Sequence, residues 1–137
     1  MRKNFKRNLS SLEDVFLFLD DFAANHDLDA ATVANIRLVV EEMFTNIIKY
    51  STRSQKKITI DISLAGSVLS LQLIDKNGQP FDPTQSAEYD IQQSLEERPI
   101  GKLGLHLVKN LTDDIKYEHK EGQTILTIKK VLKGYDV

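Results

Sequence analysis

Two stretches near the start of the chain place apolar side chains at the three- and four-residue spacing of an amphipathic helix. In the first stretch these positions are Leu12, Val15, Phe16, Leu19, Phe22 and Ala23. In the second they are Val33, Ile36, Val40, Met43 and Ile47. Ser10 or Ser11 is placed to cap the first helix and Asp29 the second, which we expect to end near Ser51. The pattern therefore predicts two consecutive helices.

Other segments alternate between apolar and polar residues, which is the period of a strand with one buried face. The predicted strands comprise residues 4–9, 58–64, 68–74, 115–119 and 124–131. Residues 101–111 are apolar and predict a third helix. This order predicts an α+β fold, a two-layer α/β sandwich in which the helices cover one face of a mixed, mostly antiparallel sheet.

Length and composition narrow the class of protein. A chain of 137 residues fits one domain, residues 1–137, with a single core. A net charge of −2 gives no basis for binding nucleic acid or an anionic membrane. We expect the basic residues at the start to be solvated; they are Arg2, Lys3, Lys6 and Arg7. The chain has no cysteine, no signal peptide and no apolar run of about 18 residues, so we expect a small soluble protein of the cytoplasm.

Polar residues interrupt the apolar face of the second predicted helix. Glu42 and Asn46 are one turn apart and point the same way, and Lys49 falls within the same arc. Polar groups on a core-bound helix are either satisfied internally or directed at a ligand. Glu41 lies about 100° away around the helix and is assigned to the solvated face. We interpret Glu42 and Asn46 as part of a binding site.

Two further segments have the chemistry of a nucleotide site. Asp75 follows a strand and can accept a hydrogen bond from an exocyclic amine, and Gly78 lets a flat ring approach the backbone. A plain turn would use the same residue types. Gly101, Lys102, Leu103, Gly104 and Leu105 open a helix, where backbone N–H groups attract anions. Glycines of an ordinary loop would explain this second segment equally well, so neither motif is specific alone.

Taken in order, the three segments resemble the conserved boxes of the GHKL (Bergerat-fold) ATPase superfamily, in particular its anti-sigma-factor serine/threonine protein kinase branch. The resemblance implies that Glu42 is the general base and that Asn46 binds Mg²⁺. It further implies that Asp75 reads the adenine of ATP above Gly78, and that residues 101–105 contact the phosphates. Thr124 would assist at the adenine, and residues of about 81–100 would form a lid over ATP.

The chain departs from this branch at two positions. Tyr50 replaces a common histidine, and Lys102 replaces the middle glycine of the usual Gly-Gly-x-Gly. Neither change removes Glu42 or Asn46, but both put nucleotide affinity and lid geometry in question. The three histidines show no metal-ligand spacing, and we expect ordinary surface or packing roles for them; they are His26, His106 and His119.

The resemblance implies an ATP-dependent serine/threonine kinase that acts as an anti-sigma factor in transcription regulation. It would phosphorylate a small antagonist protein and otherwise hold a sigma factor or similar effector. A homodimer formed through the N-terminal strand and helix is also implied. The alternative is a nucleotide-gated binding switch with little or no kinase activity. The ATPase domain of a sensor histidine kinase is disfavoured, because that form needs an upstream helix carrying a phospho-accepting histidine.

Overall fold

A computed structural model describes residues 1–50, 56–76 and 108–132 of the chain. Within them lie two long helices and five strands, and a short 3-10 turn at Leu9–Ser11 joins the first strand to the first helix. The helices are α1, Leu12–Asn25, and α2, Ala30–Tyr50. The strands are β1, Arg2–Phe5; β2, Ile58–Ala65; β3, Val68–Lys76; β4, Asp114–Lys120; and β5, Gln123–Val131. Residues 108–111 are also helical, and the rest of the predicted third helix lies outside the described residues, as does the predicted lid.

The strands form one sheet in the order β1-β2-β3-β5-β4. All four strand pairs in the described part of the chain are antiparallel. β5 lies between β3 and β4, so the closing hairpin is added to the sheet through its second strand. The structure confirms the predicted α+β fold and its mostly antiparallel sheet.

Side-chain alternation on the three central strands separates an inner, helix-covered face from an open one. The inner positions are buried and apolar: Ile58, Ile60, Ile62, Leu69, Leu71, Leu73, Leu126 and Ile128. Six polar residues at the alternate positions line an open groove together with residues of β4; they are Asp61, Ser63, Ser70, Gln72, Thr127 and Lys129. Burying one such aliphatic side chain contributes about 1.5–3 kcal/mol relative to leaving it exposed. The alternation therefore fixes which face receives the helices.

Both helices bury one apolar stripe in the same core. The buried residues of α1 include Val15, Phe18, Leu19 and Phe22, and those of α2 are Ile36, Val39, Val40, Met43, Phe44, Asn46 and Ile47. Phe18 also meets Phe5 of β1 edge to face, with ring centroids 5.6 Å apart. This contact anchors the N-terminal strand to the helical layer.

The helix starts were predicted only in part. As expected, Asp29 caps α2, because its Oδ1 accepts a hydrogen bond from the backbone N–H of Thr32 at 2.7 Å. Ser11 occupies the N-cap position of α1, as predicted, but its side chain makes no cap hydrogen bond there. Instead, Asn8 Oδ1 accepts from the Ser11 backbone N–H at 3.0 Å and caps the 3-10 turn that leads into the helix.

The first strand is also displaced from its predicted position. It covers Arg2–Phe5 rather than residues 4–9, because the chain bends at residues 7–8 and enters the turn capped by Asn8. β3 is longer than predicted and continues through Asp75 to Lys76. As a result, Asp75 is a strand residue with a fixed direction, not a loop residue.

Candidate functional site

Two rows of core side chains end in polar residues at the same end of the sheet. On β3 the inner row runs through Leu71 and Leu73 to Asp75, and on β5 it runs through Leu126 to Thr124. Asp75 and Thr124 are direct partners across the two strands. Both residues are buried. The sheet thus places a carboxylate and a hydroxyl side by side under the helical layer.

An N-terminal arginine reaches this polar pair. Arg7 forms a salt bridge with Asp75, in which its Nη2 donates to Asp75 Oδ1. Its Nε also donates to the carbonyl oxygen of Lys56 at 3.1 Å. The two side chains of the ion pair are 9% and 2% exposed, respectively. The expectation that Arg7 is solvated was therefore wrong, because a carboxylate this buried requires a counter-charge.

Strand pairing brings the end of β1 near Asp75. Phe5 pairs with Ile58 on β2, and Ile58 pairs with Asp75 on β3, so these three residues lie in line across the sheet. β1 ends at Phe5, and the bond from Arg7 Nε to the Lys56 carbonyl holds Arg7 beside the segment that leads into β2. Sequence reasoning missed this contact because it depends on pairing between distant strands.

A histidine adjoins the second member of the polar pair. His119 of β4 is the cross-strand partner of Thr124. Its Nδ1 shares a hydrogen bond of 2.9 Å with Thr124 Oγ1. The prediction of an ordinary role for His119 overlooked this contact, which orients the threonine hydroxyl.

On α2, the structure keeps Glu42 and Asn46 together and separates them from Glu41. Asn46 is 6% exposed, Glu42 is half-buried, and Glu41 is exposed, as expected for the solvated face. Lys49 is exposed at the C-terminal end of the helix. The helix therefore presents a carboxylate and a carboxamide, one turn apart, at the border of the core.

The environment of Glu42 changes its acidity. Burial raises the pKa of the Glu42 carboxyl above its usual range, and the neighbouring charge of Glu41 raises that pKa further. A carboxylate with a raised pKa is a stronger base than a solvated one. These are properties suited to general base catalysis.

The remaining predicted site residues cannot be placed. Gly78, Gly101, Lys102, Leu103, Gly104 and Leu105 lie outside the described residues, and so does the side chain of Tyr50. Within the described ranges, no group of three or more His, Cys, Asp or Glu side chains is arranged to hold a metal ion.

Comparison with known protein families shows the family of this chain. Residues 5–130 match the family described as the histidine kinase-like ATPase domain. The chain belongs to this ATPase family. The match includes all the predicted site residues and agrees with the fold class and the resemblance stated from the sequence.

Curated relatives of this ATPase domain include serine-protein kinases. The chain is 32% identical over 104 residues to the serine-protein kinase RsbW of Bacillus cereus, an alignment that covers 72% of this chain and 64% of the relative. It is 28% identical over 121 residues to the RsbW of Listeria monocytogenes, covering 84% of this chain and 76% of the relative. The alignment thus spans slightly less than two thirds of the Bacillus proteins.

Solved structures confirm the fold of the domain. The RsbU and RsbW domains of a Mycobacterium tuberculosis protein superimpose with a TM-score of 0.69 at 16% identity, covering 96% of this chain and 32% of that one. The SiaB–SiaC complex of Pseudomonas aeruginosa superimposes with a TM-score of 0.59 at 17% identity, covering 96% of this chain and 89% of that one.

None of the described helices is both long enough and apolar enough to cross a bilayer.

Proposed function

We propose that this ATPase-family domain binds ATP with Mg²⁺ and transfers the γ-phosphoryl group to a serine or threonine of a partner protein. The observation that carries the proposal is the buried pairing of Asp75 with Thr124 at the end of the inner sheet face. Glu42 and Asn46 on the overlying helical layer supply the groups that phosphoryl transfer needs. The similarity to RsbW serine-protein kinases supports this reaction type.

The base of the nucleotide would be recognised at the sheet. The Asp75 carboxylate accepts a hydrogen bond from the exocyclic amine of adenine, and guanine, which carries a carbonyl at that position, offers no donor. The Thr124 hydroxyl, held by His119, provides a second polar contact. Gly78 would leave room for the flat ring. A buried polar pair of this kind gives base selectivity, because an unmatched base leaves it unsatisfied.

The donor set at Asn46 fits Mg²⁺ held mainly by the nucleotide. The carboxamide oxygen of Asn46 is a hard ligand on a rigid helix, and Mg²⁺ commonly takes few protein ligands together with phosphate oxygens and water. The near-complete burial of Asn46 restricts the motion of that side chain. When bound, Mg²⁺ neutralises charge on the phosphate oxygens during transfer.

Glu42 would act as the general base. Its half-buried carboxylate accepts the proton of the attacking hydroxyl, and the raised pKa described above strengthens this basicity. Residues 101–105 would contact the phosphates through backbone N–H groups, and residues 81–100 would close over the nucleotide. Lys49 and Lys102 would lie near the phosphates, where their charge favours the bound anion.

The setting we propose is a partner-switching circuit in the cytoplasm. The phosphorylated partner would be a small antagonist protein, and a sigma factor or similar effector would be held in its absence. The SiaB–SiaC complex is a structural neighbour in which such a domain is seen with a second protein. A homodimer would form through β1 and α1, since β1 pairs with β2 along one edge and its second edge can pair with another chain.

The test is ATP hydrolysis and phosphoryl transfer to purified antagonist domains of the source organism. Glu42→Gln should abolish both activities while ATP still binds, and the matched control Glu41→Gln should retain them, because Glu41 is on the solvated face. Equal activity of Glu42→Gln and wild type would overturn the role of Glu42. Tight ATP binding without any transfer in the wild type would favour the nucleotide-gated switch.

A further inference from the structure

We propose that Arg7 is a positioning residue that holds Asp75 in the orientation that reads adenine and thereby sets the base selectivity of the site. The inference rests on the proposed function, since it concerns the same nucleotide. It assigns a role to a residue of the N-terminal segment, which lies 68 positions from Asp75 along the chain.

The backbone on both sides of Arg7 is fixed. Two residues before it, Phe5 is buried and packs edge to face on Phe18. One residue after it, Asn8 donates its backbone N–H to the Lys6 carbonyl at 2.9 Å and caps the following turn. The entropy lost in ordering this segment is therefore offset by contacts other than the ion pair. The backbone of Arg7 is therefore held in place independently of its bond to the Asp75 carboxylate.

The guanidinium itself is held at a second point. Its Nε donates to the Lys56 carbonyl while its Nη2 donates to Asp75 Oδ1. Guanidinium nitrogens lie in one rigid plane, so two bonds from different nitrogens fix the plane and direct the donor at the carboxylate. A lysine has a single nitrogen and cannot reproduce both bonds in this geometry.

The bond from Arg7 to one carboxylate oxygen of Asp75 restricts how that carboxylate can bind a ligand. With Oδ1 engaged by Arg7, rotation of the Asp75 carboxylate is restricted, and its second oxygen keeps one direction. Without Arg7, a carboxylate buried to this extent has lost the counter-charge that holds its direction. It then becomes a poorer acceptor for the adenine amine, so selectivity for that amine should fall.

The N-terminal segment provides a matched control. Arg2 also forms an ion pair with a sheet carboxylate, Asp61, at 2.9 Å, but the two side chains are 61% and 29% exposed. Arg2→Met therefore removes the same chemistry from β1 at a position on the open face of the sheet. An effect seen in Arg7→Met and not in Arg2→Met therefore comes from the buried contacts of Arg7 with Asp75 and the Lys56 carbonyl.

The experiment measures Kd for ATP and for purine riboside triphosphate, which lacks the exocyclic amine, by calorimetry with Mg²⁺. A hydrogen bond to a charged group should make the wild type favour ATP by roughly tenfold or more. Arg7→Met should reduce this ratio to about threefold or less on the same scale, Arg7→Lys should restore part of it, and Arg2→Met should leave it unchanged. A purely structural Arg7 would weaken both ligands equally.

Several results would overturn the inference. One is an unchanged ratio in Arg7→Met together with a lost ratio in Asp75→Asn, which leaves the proposed nucleotide site standing without Arg7. Another is tighter ATP binding in Arg7→Met, which would make Arg7 a competitor of adenine. If the wild type binds neither nucleotide, the proposed function itself fails and the inference falls with it.

Discussion

Removal of either member of the buried Arg7–Asp75 pair should destabilise the fold far more than removal of a member of the exposed Arg2–Asp61 pair. The variants are Arg7→Met, Asp75→Asn and their combination. Each single change leaves a buried group without its partner, since the two side chains are 9% and 2% exposed. Breaking a buried ion pair by removing one partner typically costs about 3–5 kcal/mol.

The double variant gives the coupling between the two residues. When both charges are absent, no buried charge remains uncompensated, so the double variant should lose less stability than the two single variants summed. Replacing a whole buried pair by neutral groups is often close to neutral. A coupling free energy of about 2 kcal/mol or more is therefore expected from the cycle.

The exposed pair Arg2–Asp61 sets the baseline for this measurement. Its side chains are 61% and 29% exposed, and such pairs contribute only about 0–1 kcal/mol. The assay is urea unfolding followed by far-UV circular dichroism at pH 7, with the same cycle carried out on both pairs. If Arg7→Met and Arg2→Met lower the free energy of unfolding by the same amount, the burial argument is wrong.

Three further predictions concern the core, a helix cap and the base. Leu126→Ala should lower the free energy of unfolding by about 2–5 kcal/mol, whereas Val131→Ala, at a half-exposed position, should change it by about 0.5 kcal/mol or less. Equal losses of stability for the two variants in urea titrations would contradict the assigned core. The hydrogen bonds from Thr32 lower the pKa of Asp29, so the stability lost in Asp29→Ala should be greatest at neutral pH and should vanish as pH falls below the normal aspartate range. A loss in thermal unfolding that does not depend on pH would argue against the cap. Burial raises the pKa of Glu42, so ionisation of the carboxyl opposes folding as pH rises from the normal glutamate range through that raised pKa. Over this pH window, Glu42→Gln should therefore gain thermal stability relative to the wild type. A gain that shrinks with rising pH would show that the pKa is shifted in the opposite direction.

The inner faces of the central strands were predictable because their pattern is repetitive and local. Ile58, Ile60 and Ile62 alternate with polar residues, and the period of two leaves one choice of buried face. The helical pair Glu42 and Asn46 was predictable for the same reason, since residues four apart on a helix share a face. Each of these inferences needs only a short window of sequence.

The features that were missed depend on contacts between distant segments. The length of β1 could not be read from its mostly polar residues, because pairing with β2 and the turn capped by Asn8 set where the strand ends. The partner of Arg7 lies 68 positions away and is brought near by strand register. A buried ion pair of this kind leaves no periodic signal in the sequence.

The most direct test of the account is a calorimetric titration of the domain with ATP in the presence of Mg²⁺ and, separately, of EDTA. The wild type should bind ATP, Asp75→Asn should bind it weakly under both conditions, and Asn46→Ala should lose the part of the affinity that depends on Mg²⁺. Absence of ATP binding in the wild type, or full affinity in Asp75→Asn, would contradict the nucleotide site described here.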